Sequence, residues 1–406
     1  MSASRYLKSI GGNASVSAAS LASAAAVFSV YSAAEFGFYS LVLIFSTLMY
    51  SVINSLFVAS MQDYVTTREL PETDLAAFVV SNSAAVLVLA IAFGCFTQLT
   101  YDSLQLTASV VVFLLVAGLR WLVKSYRQML SDVNGYVLSD AILAAGLFVL
   151  AVAVFLMNFK LFVFFWLMSL TQLASLWPLN IKSLTAVLSS FSFSSVSKIK
   201  DGYQQRGRDA LLGTFNIELS QNSHSYLISI FAGPHAFAPI ALANLMFRPF
   251  AVVMTGLVQA ERPLISKMMF EKQYVQANGV CQKLTALVLT ALAVNTVAVI
   301  GVVYLFEDYL MEKIGHLADF VVVLIMILAV CIARAFRFSF TLFFQSAGLF
   351  AVLKDSCLYG GLMTIVMVSA LLSLGFIQTS VFGVVCGEVL MLVYLSQKHT
   401  PHRHFS

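Results

Sequence analysis

The sequence predicts an all-α, polytopic membrane protein with about 12 transmembrane helices in two parallel six-helix lobes around a central cavity. Of its 406 residues, 60% are hydrophobic and only 10% are charged, whereas soluble domains carry about 25% charged residues. Apolar windows of about 20 residues, which is the length of a membrane-spanning helix, recur along the whole chain. They are too long and too continuously apolar for the strands of a membrane barrel, so helices are the expected spanning structure.

The apolar windows and the polar breaks between them predict twelve spans. In chain order these are residues 10–31, 36–60, 75–99, 107–125, 135–157, 161–182, 213–232, 237–260, 284–306, 320–344, 356–376 and 381–396. The first span lacks the Leu-rich stretch and the Ala-x-Ala end of a cleavable signal. We therefore interpret it as a helix of the mature protein.

The distribution of Lys and Arg predicts the orientation of these spans. With both termini on the cytoplasmic side, 18 of the 23 basic residues fall in inner segments and only two, Lys160 and Lys313, in outer ones. Positive residues concentrate on the cytoplasmic side of membrane proteins. The sequence therefore predicts a multi-pass protein with cytoplasmic termini, and its net charge of +4 reflects this topology and gives no indication of nucleic-acid binding.

An internal repeat predicts the two lobes. VLSDAILAAG at 137–146 matches VLKDSCLYGG at 352–361, and in each copy the Asp is expected near the positive end of a helix. Six spans per copy is an even number, so the copies enter the membrane in the same direction. We predict an N-terminal lobe over 1–183, a cytoplasmic linker over 184–212 and a C-terminal lobe over 213–406; the alternative is that the match reflects two similar helix starts.

The seventh span, FNIELSQNSHSYLISIF, is unusually polar. At 100° per residue a continuous helix would place five polar residues on one stripe, which cannot face lipid and must face water or other helices: Glu218, Gln221, Asn222, Ser225 and Ser229. The first span, in the matching position of the other half, is rich in Gly, Ala and Ser. Such residues favour either close helix packing or a cavity-lining helix.

Arginines inside the spans suggest the chemistry of a site. Arg248 lies in the eighth span, and Arg334 and Arg337 lie three residues apart on one face of the tenth. A mid-membrane Arg costs about 2.5 kcal/mol or more on insertion scales, so each needs a partner or a function. Arg120 and Lys124 lie nearer the inner end of the fourth span, where we expect them to extend to the lipid headgroups.

Two interpretations of the central arginines remain open. Glu218 or Glu388 could neutralise one or two of them within the protein. Alternatively, the arginines form an electropositive cavity for an anionic substrate, since Arg binds phosphate through two parallel hydrogen bonds. Pro249, next to Arg248, predicts a bend in the eighth span, either mobile or static.

The predicted substrate-binding residues are therefore Arg248, Arg334, Arg337, Gln221, Asn222 and Ser225. Glu218, His224 and Glu388 are the candidates for ion coupling, because carboxylates and imidazoles can change charge near physiological pH; structural hydrogen bonding is the alternative. No metal site or other cofactor is expected. We interpret the three His of the terminal HTPHRHF as part of a solvated tail.

These patterns resemble the polysaccharide-flippase branch of the multidrug/oligosaccharidyl-lipid/polysaccharide exporter superfamily. The resemblance lies in the twelve spans in two halves, in SYLISIFAGPHAFAPIALANLMFRPFAVVMTGLVQAERPLIS at 225–266, and in AAEFGFYSLVLIF at 33–45. It implies translocation of an undecaprenyl-diphosphate-linked oligosaccharide repeat unit across the bacterial inner membrane, for O-antigen, capsule or exopolysaccharide assembly, by alternating access. The implied partners are this substrate, membrane lipid and other polysaccharide assembly proteins, with no nucleic acid.

Three other classes of membrane protein provide the rival hypotheses. Multidrug antiporters of the same superfamily usually carry a carboxylate in the first helix, which the first span lacks. Flippases of the lipid-linked peptidoglycan precursor typically carry arginines in the first two helices and two further spans. A membrane glycosyltransferase or polymerase needs a large outer loop or an Asp-rich metal site, and the predicted outer loops are short, so a transporter is favoured over an enzyme.

Overall fold

The computed structural model of the protein describes residues 3–58, 61, 72–130, 132–179, 189–192, 195 and 208–399. Every regular element in these ranges is a helix, which confirms the predicted all-α class. Helices satisfy their backbone hydrogen bonds internally, as a lipid environment requires. The linker predicted over 184–212 falls mostly outside the described residues, so the boundaries of the two lobes stay predictions.

The described residues cluster into two compact units. Unit 1 comprises Met1–Tyr31 and Val42–Thr214, and unit 2 comprises Ser32–Leu41 and Phe215–Ser406. The first part of the second helix thus groups with the C-terminal half of the chain, which sequence patterns did not indicate.

Among the described residues, seven α-helices lie between Ala3 and Gln221. They are α1 (Ala3–Val30), α2 (Ala33–Ile53), α3 (Glu72–Tyr101), α4 (Leu104–Met129), α5 (Val133–Met157), α6 (Leu161–Leu176) and α7 (Arg208–Gln221). A π-helical turn, Asn54–Val58, continues α2, and a 3₁₀ turn, Trp177–Leu179, continues α6.

Eight α-helices follow between Ser223 and Lys398. They are α8 (Ser223–Phe231), α9 (Gly233–Met246), α10 (Arg248–Phe270), α11 (Tyr274–Leu305), α12 (Glu307–Ile314), α13 (Leu317–Ser346), α14 (Phe350–Ser373) and α15 (Phe382–Lys398). A 3₁₀ turn, Gln378–Val381, precedes α15.

Nine helical segments within the described residues are long and apolar enough to cross a membrane. They correspond to predicted spans two to six and nine to twelve, and α9 with α10 supplies a bent tenth. Part of α1, Ala14–Val30, is a shorter apolar helix in the position of the first span. The chain is therefore a multi-pass membrane protein by the length and composition of its helices.

The seventh and eighth predicted spans are not continuous helices. The seventh is interrupted at Asn222, between α7 and α8. The eighth bends by 51° between Met246 and Arg248. The bend predicted from Pro249 is therefore present. Pro249 lies in the first turn of α10, where a backbone N–H has no partner within the helix, so its missing N–H costs no helical hydrogen bond.

Equivalent helices pack in the same pairs within each unit. In unit 1, α4 packs against α3 and α6, and α1 packs against α5. In unit 2, α13 packs against α11 and α15, and α8 packs against α14. In each predicted half, therefore, the fourth span packs against the third and the sixth, and the first span packs against the fifth.

The small residues of α1 allow its close packing against α5. Ser23 is fully buried, and its hydroxyl donates to the carbonyl of Leu147 at 2.9 Å. Tyr31 donates to the carbonyl of Phe159 at 2.8 Å. Close packing is therefore one established role of this helix, and the lining of a cavity by its polar residues stays a prediction.

The two aspartates of the repeat occupy different environments. Asp132, not Asp140, caps the start of α5, with its side chain accepting from the N–H of Gly135 at 3.1 Å. Asp140 lies two turns further on and is buried, whereas Asp355 of the second copy is exposed in α14. The prediction that both residues stabilise a helix start is therefore wrong, since Asp355 also lies beyond the first turn of α14, which holds no acidic residue.

Candidate functional site

Two arginines of α13 converge on one carboxylate of α15. Arg334 Nε donates to Glu388 Oε1 at 2.7 Å, and Arg337 Nη2 lies 3.0 Å from Glu388 Oε2. Arginines three residues apart share one face of a helix, which lets both reach the same partner. We refer to Arg334, Arg337 and Glu388 as the unit 2 charge cluster. Of the two interpretations left open by the sequence, internal pairing with Glu388 is what the structure shows for these two arginines.

The pairing leaves the unit 2 charge cluster with one formal positive charge. Arginine stays protonated in proteins, so two guanidinium groups face a single carboxylate. Glu388 is fully buried, while the Arg337 and Arg334 side chains are 12% and 29% exposed. Arg334 therefore has part of its side chain open to a ligand, whereas Glu388 does not.

His224 of α8 lies beside this cluster. Its ring is close enough to Arg334 and Glu388 to interact with both electrostatically, and its Nε2 is 3.2 Å from the Ser225 hydroxyl. Both residues are buried. The structure thus brings together five of the predicted site residues from three helices, namely His224, Ser225, Arg334, Arg337 and Glu388.

The other polar residues of the seventh span do not share one buried stripe. Asn222 lies at the break between α7 and α8, and its side-chain amide donates to Glu218 Oε2 at 2.7 Å. Gln221 is exposed, whereas Ser225 and Ser229 are buried. The single stripe assumed a continuous helix, which the break at Asn222 interrupts, so the shared face of these five residues stays a prediction.

Arg248 lies at the bend between α9 and α10. It interacts electrostatically with the phenol of Tyr39, a buried residue of the α2 segment that belongs to unit 2. On the other side of the bend, the Asn295 amide of α11 donates to the carbonyl of Met246 at 3.2 Å. An interhelical hydrogen bond therefore satisfies a backbone group at the point where the helix changes direction.

A second charged cluster lies inside unit 1. Asp140 Oδ1 accepts from Arg120 Nη2 at 2.8 Å, and its Oδ2 accepts from Lys124 Nζ at 2.7 Å. Arg120 Nε also donates to Ser175 at 2.6 Å. We refer to Arg120, Lys124 and Asp140 as the unit 1 charge cluster.

Sequence patterns did not predict this second cluster. Arg120 and Lys124 are buried, so the prediction that they extend to the lipid headgroups is wrong. The reason is that Asp140 of the neighbouring helix holds both bases inside the bundle. The spacing of four residues between Arg120 and Lys124, with an Asp in the repeat motif, was the available signal.

His399 does not belong to a solvated tail. Its ring packs edge-on against Phe343, at 4.7 Å between centroids, and against Phe340, at 5.1 Å. This burial lowers the pKa of His399. The prediction of a solvated tail is wrong for this residue, and the other two histidines of HTPHRHF lie outside the described residues.

Comparisons with known proteins establish the fold. No protein-family model matches the sequence, and no curated protein matches it. Among solved structures, an inward-facing multidrug resistance MATE family transporter of the MOP superfamily aligns with a TM-score of 0.67 at 12% identity, over 92% of this chain and 91% of that chain. A MOP superfamily transporter from Pyrococcus furiosus, described as having a binding pocket of reversed polarity, aligns with a TM-score of 0.65 at 12% identity, over 97% and 93%.

An outward-facing MATE family transporter gives a similar alignment. Its TM-score is 0.58 at 12% identity, over 95% of this chain and 92% of that chain. The chain therefore has the fold of MOP superfamily transporters over nearly its whole length. This is the superfamily fold expected from the sequence resemblance.

Proposed function

We propose that this protein is a transporter that moves an undecaprenyl-diphosphate-linked oligosaccharide repeat unit across the bacterial inner membrane by alternating access. Its role would be in the assembly of a surface polysaccharide or exopolysaccharide, without covalent chemistry. The MOP superfamily fold supports a transport function, and the sequence resemblance to polysaccharide flippases supports the substrate class. Cytoplasmic termini, predicted from the basic residues, belong to the same proposal.

The partly exposed guanidinium group of Arg334, in a cluster with one base in excess, carries the proposal, since the bases of the unit 1 charge cluster are buried. A net positive charge inside a membrane-spanning bundle is unfavourable, and a diphosphate that enters the protein would compensate it. The guanidinium group of Arg334 matches phosphate oxygens in geometry, and its side chain is partly exposed. A cationic drug would instead add like charge to this region.

The polar residues of the seventh predicted span suit the sugars of such a substrate. The hydroxyls and amides predicted to bind substrate can replace hydrogen bonds that a glycan loses on leaving water. Gln221 is exposed and Asn222 is partly exposed, so both have atoms available for such contacts. The lipid tail would stay in the bilayer.

Multidrug export is the second candidate, and Glu218 is the observation in its favour. Glu218 is half-buried in α7 and accepts a hydrogen bond from Asn222. Within the described part of the chain, no base lies within ion-pair distance of it. A carboxylate in this position could bind a proton or a cationic substrate. The MATE fold is equally consistent with this function.

A neutral version of the unit 2 charge cluster tests the proposal in cells. Arg334→Ala, Arg337→Ala and Glu388→Gln together remove all three charges, so no unpaired carboxylate is left in the interior. We expect polymer export to fall at least 10-fold, with accumulation of the lipid-linked oligosaccharide, while the amount of protein in the membrane is unchanged.

Two variants control for this experiment. Glu388→Gln alone keeps both guanidinium groups and should retain export. Lys354→Ala removes an exposed base of unit 2 and should also retain it. Normal export by the neutral variant would contradict the proposal, and accumulation of the peptidoglycan precursor in place of the oligosaccharide would assign a different substrate.

A further inference from the structure

The bend between α9 and α10 is not held by the backbone of these two helices. The last helical bond of α9 runs from the N–H of Phe247 to the carbonyl of Ala243 at 3.1 Å, and the first of α10 runs from the N–H of Ala251 to the carbonyl of Phe247 at 3.4 Å. Both end on Phe247, and within the described residues no helical bond joins the two segments across it. Pro249 has no N–H with which to form one. The two segments could therefore pivot at Phe247 unless another group holds them.

A side chain of α11 bridges the two segments. Asn295 donates from its side-chain amide to the carbonyl of Met246, the last residue of α9, at 3.2 Å. In a continuous helix that carbonyl would accept from the N–H of Phe250. Helix α11 itself packs against α10. Asn295 therefore ties the end of α9 to the pair of helices that lies on the other side of the bend.

Asn295 differs from the neighbouring hydroxyl residues in the apolar part of α11. Thr285, Thr290 and Thr296 each donate to the carbonyl four residues earlier in their own helix, at 3.2, 3.0 and 2.8 Å. The amide of Asn295 donates to another helix instead. A side-chain amide in the middle of a span is costly in lipid, so its presence there calls for a partner or a function.

The angle of the bend determines the direction of Arg248. This residue is the first of α10 and directly follows Phe247, so a change of angle at Phe247 reorients its backbone. Arg248 is partly exposed and interacts electrostatically with Tyr39 of α2. Its side chain is one of the predicted contacts of the substrate, so the bend bears on the binding site.

We propose that Asn295 is a positioning residue that holds the bend between α9 and α10 and thereby fixes Arg248 for contact with the diphosphate of the substrate. The inference rests on the proposed function, because it assigns Arg248 to a diphosphate. Without the Asn295 amide, the carbonyl of Met246 loses its partner, and the N–H of Phe250 is the donor that would replace it in a straighter helix. Loss of the amide should therefore loosen or reduce the bend.

Distances between two spin labels test whether Asn295 holds the bend. The labels are attached at exposed positions of α9 and α10, through His235→Cys and Lys267→Cys, after the five native cysteines are replaced by Ala. In Asn295→Leu we expect a broader distribution that shifts to longer distances, because a straighter segment separates its ends further. Leu makes the span more apolar, so insertion into the membrane should be maintained.

Thr296→Val is the matched control for these distances. It removes the hydroxyl of the next residue, which donates within α11, and should leave the distribution as in the wild type. The same distribution in Asn295→Leu and the wild type would overturn the proposal.

Binding of undecaprenyl diphosphate tests whether Asn295 acts through Arg248. Its affinity for the purified protein in detergent is measured by microscale thermophoresis for Asn295→Leu, Arg248→Ala and the double variant. We expect each single change to weaken binding about 10-fold, as for the loss of one hydrogen bond to a charged group. The double variant should bind no more weakly than Arg248→Ala, because the bend has no further effect once its guanidinium group is absent. Additive losses would overturn the positioning role.

The two measurements separate this inference from the proposed function. The spin-label distances involve no substrate, so they decide whether Asn295 holds the bend whichever substrate the protein transports. A wild type that does not bind undecaprenyl diphosphate would contradict both the proposed function and the role given to Arg248. Normal binding by the wild type and by Asn295→Leu would contradict only the positioning role.

Discussion

Glu388 and Asp140 have the same structural role in the two units, because each carboxylate forms ion pairs with two bases of a neighbouring helix. Glu388 is 0% exposed and Asp140 is 1% exposed. A buried ion pair adds little net stability over apolar packing, but removal of one partner leaves a charge in the interior at a cost of about 3–5 kcal/mol. Asp140 should therefore be essential for folding, whereas the two bases that pair with Glu388 are more exposed, at 29% and 12%, so loss of the Glu388 charge should be tolerated.

The aspartates of the repeat provide a matched test at the residue scale. Asp140→Leu leaves Arg120 and Lys124 buried without their carboxylate, and we expect a several-fold loss of protein from the membrane. Asp355→Leu changes the equivalent residue of the second copy, whose side chain is 45% exposed, and should leave the level unchanged. Quantitative blotting of membranes measures both, and equal levels would show that the unit 1 charge cluster is not structural.

Individual residues were only partly predictable from the sequence. The arginines of the tenth span were predictable as site residues, because a base at mid-membrane depth is rare and stands out in an apolar window. Their pairing with Glu388 was one of two open possibilities, since it depends on which helices pack together. For Arg120 and Lys124, a position near the end of a span suggested contacts with lipid headgroups. Instead, the packing of α4 against α5 brings both bases to Asp140 inside the bundle.

At the scale of elements, the interruptions of the seventh and eighth spans bear on the site. The break at Asn222 separates α7 from α8, and the bend at Phe247 separates α9 from α10. Pro249 made the second interruption predictable. The first was not predictable from periodicity, and the local contacts of Asn222 do not explain it, because its amide donates to Glu218 four residues earlier, a pair that a continuous helix also allows.

The start of α2 makes a close contact with the start of α9 within unit 2. A Cβ added at Gly37 would collide with the carbonyl oxygen of Pro234. Because that obstacle is backbone, a helix would have to move to accommodate even one methyl group. Gly37 therefore sets how closely α2 approaches α9.

A pair of glycine variants tests this contact. Gly37→Ala should lower the unfolding temperature of the purified protein and reduce transport. Gly256→Ala is the control, because no atom lies within 4 Å of a Cβ at Gly256. Replacement of a helical Gly by Ala without a collision is stabilising by about 0.4–1 kcal/mol. An unfolding temperature for Gly37→Ala at or above that of Gly256→Ala would refute the proposed role of Gly37.

At the scale of the whole molecule, the two halves of the repeat form units with the same helix pairs but with different surroundings for their charge clusters. Each unit places two bases on the fourth predicted span of its half, α4 or α13, and an acid on a later helix, α5 or α15. Unit 1 satisfies its cluster with Ser139 and Ser175. Unit 2 leaves Arg337 Nε of its cluster without a hydrogen-bond partner among the described residues. We infer that unit 1 uses its charges for stability and that unit 2 uses its charges for binding.

The overall fold was more predictable than the site. Composition, apolar window length and the repeat are properties of long segments, and they determine the class and number of helices. Chemical function depends on a few side chains that meet across helices. Their meeting depends on packing between segments more than 100 residues apart, such as Ser23 with Leu147, which no local pattern records.

Transport by the purified protein in proteoliposomes tests the central proposal most directly. A fluorescent undecaprenyl-diphosphate oligosaccharide is placed in one leaflet, and the arrival of its headgroup in the other leaflet is followed with an impermeant quencher; a cationic dye is assayed in parallel. We predict headgroup translocation by the wild type, none by the neutral variant of the unit 2 charge cluster, and no dye accumulation. Dye transport dependent on Glu218, with the oligosaccharide retained in its original leaflet, would contradict the proposed function.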